Sequence, residues 1–321
     1  MTRIVPDCGE EAREGNRGGA AVVGSVMTET SASSAPRPSS SGRLVGVTGA
    51  TGAVGGRVAA ALAEAGVAQR LLVRDPSRAP ELAGAEVVRM SYGDHEASVA
   101  ALRGVDVLFM VSAAEAPDRR AQHLDVVAAA AEAGVGHVAY TSFQGAAPDA
   151  VFTLARDHWA TEEALRASGA AVTILRDSFY LDVLPEFADE QGVLRGPAGT
   201  GRVAAVARAD VADVAAAVLL DPEAHVGAVH ELTGSEAVTL DEAAARLTAV
   251  LGRPFSFVDE TVDEAYASRQ RWQPEPWQAD AWVSTYTSIA SDEVSRVTTA
   301  VRDVAGHEPL TIETLFGAQG A

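Results

Sequence analysis

One stretch constrains the fold of this chain more than any other. The apolar run Leu44–Thr48 enters Gly49-Ala50-Thr51-Gly52-Ala53-Val54-Gly55, and an alanine-rich helical pattern, Val54–Ala65, follows it and stops at Gly66. A strand, a GxxGxxG turn and a helix in that order make a phosphate-binding loop. Gly49 allows the tight turn, Gly52 lets the backbone approach a pyrophosphate, and Gly55 permits close packing of helix on strand. The free N–H groups at the helix start then face the anion. Glycine spacing alone is weak evidence; the flanking strand and helix make the motif specific. Thr51, Ala53 and Val54, which share the loop, are expected beside the same ligand.

The pattern continues downstream. Strands are predicted at Arg70–Val73, Glu86–Met90, Val105–Val111, His137–Thr141 and Ala171–Leu175, with helices at Glu96–Leu102, Arg119–Ala133 and Arg156–Ala167. Continuous apolar strands alternating with helices predict an α/β fold, a Rossmann-type doubly wound parallel sheet. Past Arg176 the rhythm loosens into a glycine-rich loop, Gly192–Gly201, and a strand at Val203–Val206. A helix capped by Asp210 runs to Leu220, then a strand Val229–Thr233, the helix Asp241–Leu251 and a short strand Phe255–Val258. The helical tail carries Trp272, Trp277 and Trp282. These pieces predict a smaller C-terminal α/β substrate lobe, drawn mainly from 177–321 and partly inserted between strands, walling one side of a cleft. Residues 1–41, rich in Gly, Ser, Pro and acids without periodicity, are expected to be a disordered N-terminal extension to a domain spanning 42–321, with Met27 an alternative start.

Charge and composition narrow the partners. A formal net charge of −19 argues against nucleic acid, whose phosphates need clustered basic residues. No apolar stretch approaches the roughly 18 residues of a membrane span, and no basic leader precedes an apolar run. The only cysteine, Cys8, lies in the extension, so neither an intrachain disulfide nor a thiolate metal cage can form. His225 and His230 flank a strand start without a matching third ligand, so no metal is expected. The expectation is a cytoplasmic protein with a small-molecule acceptor and no membrane or nucleic-acid partner; a homodimer stays open. Lysine is absent, which removes every mechanism that needs its amine.

The tip of the second strand names the cofactor. In a dinucleotide fold it reaches the adenosine ribose roughly 20 residues past the glycines. An acid there bonds the 2′-hydroxyl and repels a phosphate, whereas Arg74 offers a fork of donors to a 2′-phosphate. NADPH is therefore expected over NADH, although Asp75 would reclaim the ribose if the turn shifted by one residue. Asp94 either meets the adenine or caps the next helix, and Ser112 and Ala113 are expected beside the cofactor at the tip of the fourth strand.

TGATGAVGG, VRDPSR, HVAYTSF and DHWATEEALRASGAAVTILRDSFY together resemble the NmrA-like, atypical short-chain dehydrogenase/reductase family, and within it the type-2 NAD(P)H:quinone oxidoreductase branch. The likeness runs from Leu44 to the C-terminal VAGHEPLTIETL. It implies a nucleotide-binding domain with a smaller substrate lobe and no flavin. Some relatives reduce substrates and others only sense the NADP redox state, so a non-catalytic NADP(H) sensor acting through a protein partner is the alternative to an enzyme.

Conventional members of the wider superfamily use Tyr-x-x-x-Lys. Four residues after Tyr92, Tyr140, Tyr180, Tyr266 and Tyr286 stand Glu96, Gln144, Leu184, Gln270 and Ala290, so that pair is excluded. Thr141, Ser142 and Phe143, ending the fifth strand, are expected against the cofactor, with Gln144, Phe179 and Tyr180 toward the acceptor. His158 stands about where some plant reductases of the family carry a lysine, and with an ordinary pKa near 6.5 it can donate a proton. Beside Trp159 it can equally bridge helix to loop. Ser142 is the second candidate catalytic residue, as a binder of cofactor or carbonyl oxygen rather than a nucleophile. The expected reaction is direct hydride transfer from NADPH to a quinone-like or conjugated carbonyl acceptor.

Overall fold

The computed structural model describes residues 42–317; the extension expected at 1–41 lies outside the described residues. The strands are β1 (Val45–Thr48), β2 (Gln69–Val73), β3 (Ala85–Arg89), β4 (Val107–Met110), β5 (His137–Phe143), β6 (Ala171–Asp177), β7 (Val193–Gly196), β8 (Val229–Leu232) and β9 (Ser256–Asp259). Seven of them form one sheet in the order β3-β2-β1-β4-β5-β6-β8, and every pairing in it is parallel. The chain departs leftward from β1 to β2 and later rightward from β4. The crevice between the carboxyl ends of β1 and β4 is therefore the switch point where such sheets bind ligands.

Alternation along each strand feeds two cores. Val107 and Phe109 of β4 face the helices α1 (Ala53–Glu64) and α5 (Arg208–Leu220); Leu108 and Met110 face α2 (His95–Leu102), α3 (Arg119–Ala133) and α4 (Thr153–Ala167). Helix α5 packs along α1 and so borders the crevice beside the glycine loop. Strands β7 and β9 pair separately in a second, smaller sheet. Around it pack α6 (Leu240–Leu251), α7 (Val262–Arg269), α8 (Pro276–Ala290) and α10 (Ile312–Gly317), whereas α9 (Ala300–Ala305) returns to the main core. No described helix is long and apolar enough to cross a membrane.

Three readings of the sequence need correction. Val203–Val206 makes only isolated bridges, to Val238 and Tyr180, because this apolar run joins two cores rather than a sheet edge. A real strand, β7, hides inside the glycine-rich loop. Its Gly196 lies flat under Tyr286, where a Cβ would stand 2.3 Å from ring carbons, so a glycine there marks close packing rather than a turn. Helix α5 begins before Asp210, so Ala207 and not Asp210 is its N-cap. The Asp210 carboxylate is fully buried and accepts the Leu310 N–H at 2.9 Å, tying the C-terminal segment to the helix.

Candidate functional site

The glycine loop has the conformation its spacing requires. Gly49 takes φ +64°, and its carbonyl accepts the Gly52 N–H at 2.8 Å. A Cβ on Gly55 would sit 2.4 Å from that same carbonyl oxygen, so the helix can approach the loop only through glycine. Gly52 is the N-cap of α1 and supplies no side-chain acceptor, which leaves the first N–H groups of the helix for a ligand. Gly49, Thr51, Gly52, Ala53, Val54 and Gly55 all line one cleft of about 560 Å³. A backbone cradle that a single methyl would close, beside an uncapped helix end, fits a dinucleotide pyrophosphate.

At the tip of β2 Arg74 is exposed and lines the cleft, which the half-buried Ser91 and Tyr92 also line. The competitor Asp75 is turned away: it accepts from the Ser77 hydroxyl at 2.7 Å and the Ser77 N–H at 3.0 Å, bonds that also hold its carboxyl below the usual range. Of the two, Arg74 and not Asp75 lines the cleft. Asp94 caps α2, accepting the Ala97 N–H at 3.2 Å. Tyr92, which the sequence reading passed over, lines the cleft and donates to the Val111 carbonyl at 2.7 Å.

Ser112, Ala113, Phe179 and Tyr180 line the cleft. Thr141, Ser142, Phe143, Gln144 and His158 do not. For Thr141, Ser142 and Phe143 the reason is the length of β5, which stays in the sheet to Phe143 with both faces covered and so buries residues expected at an open edge. Thr141 Oγ1 accepts the Ser112 N–H at 2.8 Å and supports the floor from below. Ser142 donates at 2.5 Å to the fully buried Glu162, whose carboxylate also pairs with Arg176 and with the exposed Arg166. Phe143 packs on Phe152 and Phe179, and Gln144 donates to the Arg296 carbonyl at 2.8 Å.

His158 cannot act as the expected proton donor in this arrangement. It is 5% exposed, with Nε2 at 2.9 Å from Arg119 Nη2 and Nδ1 at 2.9 Å from the Tyr140 hydroxyl. A guanidinium only donates, so Nε2 must be the bare nitrogen and the ring is neutral. Burial, and then the charge of Arg119, hold its pKa far below the usual value. His123 repeats the logic: its Nε2 accepts the Ala113 N–H at 2.8 Å, its Nδ1 meets Thr161 at 3.0 Å, and burial keeps it neutral. These histidines are fixed supports.

What they support is the loop after β4. Ala113 is gripped at both backbone atoms, its N–H by His123 and its carbonyl by Arg119 Nε at 2.9 Å; the Arg119 N–H then binds the Ala116 carbonyl at 3.2 Å. Between the two clamps stands Glu115, half-buried, lining the cleft and accepting from Trp282 Nε1 of α8 at 3.3 Å. On the opposite wall Arg208 lines the cleft with its Nε on Asp182, and the Tyr180 hydroxyl donates to Asp177 at 2.5 Å. Burial raises Asp177 to about 7. Glu115, Arg119, His123 and Arg208 escaped the sequence reading, since no spacing marks them; only their convergence in space does. His225 and His230 lie 3.1 Å apart, ring nitrogen to ring nitrogen, and satisfy one another.

A doubly wound parallel sheet with an uncapped glycine-loop helix at its switch point defines a dinucleotide-binding protein of the Rossmann type. More narrowly, the chain belongs to the NmrA-like family, whose model matches residues 41–269. It is similar to quinone oxidoreductase 2 of Escherichia coli, at 38% identity over 67% of this chain and 77% of that protein. It is also similar to (4-alkanoyl-5-oxo-2,5-dihydrofuran-3-yl)methyl phosphate reductase of Streptomyces griseus, at 37% identity over 82% and 93%. Among solved structures, an NADPH-dependent quinone oxidoreductase from E. coli in complex with NADPH superposes with a TM-score of 0.77, at 31% identity over 86% of this chain and 100% of that one.

Proposed function

We propose that this protein is an NADPH-dependent oxidoreductase that passes hydride directly to a quinone-like or other conjugated carbonyl acceptor. One observation carries the reading: a single cavity joins the glycine loop and Arg74 to an aromatic wall of Phe179, Tyr180 and Phe187. The loop N–H groups would hold the pyrophosphate and the Arg74 fork the 2′-phosphate. When bound, NADPH supplies the hydride. The protein's part is to orient and to exclude water, for which Phe179 and Tyr180, at 2% and 7% exposure, make a rigid and largely dry flank. Flat conjugated acceptors stack well on such a wall. One relative is named for a quinone and another for an alkanoyl-substituted oxo-dihydrofuran, and both names describe carbonyl compounds.

The test follows nicotinamide absorbance with purified protein, NADPH or NADH, and a panel of quinones and enones. Turnover of at least one acceptor, with NADPH preferred, is the expected result. No turnover with any acceptor, together with a clear affinity difference between NADP⁺ and NADPH, would replace the enzyme with a redox sensor.

A further inference from the structure

We propose that Glu115 is the proton donor that completes reduction of the acceptor, a role that rests on the hydride-accepting reading above. A carbonyl oxygen that has gained two electrons with a hydride on its conjugated system carries negative charge and needs a proton. The tyrosine–lysine pair is absent, and His158 and Ser142 are sealed beneath the floor. The choice therefore falls among groups that line the cleft. Arg74 and Arg208 do not release protons. The hydroxyl proton of Tyr92 is committed to the Val111 carbonyl and that of Tyr180 to Asp177, and burial raises both phenols far above the neutral range. Glu186 stands at the exposed rim. Glu115 alone combines a place in the cleft, partial burial and a built support.

That support comes from two directions. The loop is pinned on either side of Glu115 by the His123, Arg119 and Ala116 bonds, and its carboxyl is held by Trp282, itself 9% exposed. The loop leaves β4, one border of the switch-point crevice, so the carboxyl reaches the cleft beside Ser112 and Ala113. Burial raises the Glu115 pKa, while the Trp282 N–H, the Arg119 charge and Gln278 pull it back. Arg119 is the charged group facing it from α3, Trp282 and Gln278 are the donors facing it from α8, and Glu186, Arg208 and Arg74 are the other charges on the cleft. In the step itself the Glu115 O–H bond breaks as the acceptor O–H bond forms, and the carboxylate regains a proton from water at its half-exposed face. Acceptor, NADPH and one proton give reduced acceptor and NADP⁺.

The experiment compares wild type, Glu115→Gln and Trp282→Phe. With a quinone that the wild type reduces, Glu115→Gln should lower kcat on the order of 10²-fold at unchanged NADPH affinity, and the alkaline limb of the pH–kcat profile should vanish. Trp282→Phe removes a donor that stabilises the carboxylate, so that limb should move to higher pH. Independently of turnover, infrared titration of the cofactor-free protein should show a carboxylic acid C=O band that is missing in Glu115→Gln and whose midpoint rises in Trp282→Phe. A folded Glu115→Gln variant that keeps the wild-type kcat and pH profile overturns the assignment, as does an unmoved profile in Trp282→Phe. A wild type that reduces no acceptor defeats instead the reading on which the proposal rests, and the infrared band separates the two failures.

Discussion

At the scale of single residues, the site is governed by which groups are kept uncharged. His123 and His158 are buried against a guanidinium, so their native pKa values lie below the ordinary one near 6.5. Above that value both folded and unfolded chains hold them neutral. Below it the unfolded chain binds protons that the native state refuses, and stability falls by up to about 1.4 kcal/mol per pH unit for each histidine. Asp177 works in the opposite sense: its native value is raised from 3.8 to about 7, so its contribution is full below the lower value and is lost as pH rises from there through about 7. We predict that His158→Asn flattens the loss between pH 6.5 and 5 by roughly one histidine's slope. Urea melts at three pH values measure it, and parallel curves for variant and wild type would refute it. Arg74 carries a second prediction. Losing a charge-assisted bond worth about 1.5–3 kcal/mol, Arg74→Gln should bind NADPH roughly 10- to 100-fold more weakly and NADH almost as before. Calorimetry with both dinucleotides checks it.

Among the elements, the β1–α1 junction is the least forgiving. Gly55→Ala places a methyl 2.4 Å from the Gly49 carbonyl oxygen, in backbone that has no flexible end to move aside. We expect a cost of about 1–3 kcal/mol in stability and loss of detectable NADPH binding, because the loop must open to accept the methyl. A thermal melt and a binding titration on the same sample would decide this. This junction was also the most legible part of the sequence, since a strand, three spaced glycines and a helix constrain one another locally. Helix α3 was legible from end to end for the same reason, its αL Gly134 closing it. Strand β5 was legible in kind but not in length. Thr141-Ser142-Phe143 reads as a polar exit, and only the partners Ser112, Glu162 and Phe179 across the fold show why it stays buried. The same blindness hid Glu115, whose meaning depends on Trp282, far along the chain on α8.

For the whole molecule, the cleft draws its lining from the sheet, the 179–187 segment and the start of α5, so a ligand there should bind the native state as one unit. At NADPH a hundredfold above its Kd the unfolding free energy should rise by about 2.7 kcal/mol. In a Trp159→Phe variant, tryptophan fluorescence, which then reports Trp272, Trp277 and Trp282 of the C-terminal segment, should shift its midpoint together with far-ultraviolet dichroism, which reports secondary structure throughout. Separate shifts would mean that the two parts unfold independently. The chain leaves the sheet at Asp177 and returns only at Val229, after β7 and α5 have been laid down. A nascent polypeptide on the ribosome therefore shows β6 as a bare rim, with Ile174, Leu175 and their unpaired amides open, until β8 emerges. Slowing synthesis within that interval should prolong this exposure, and crosslinking of stalled nascent chains to chaperones would report it.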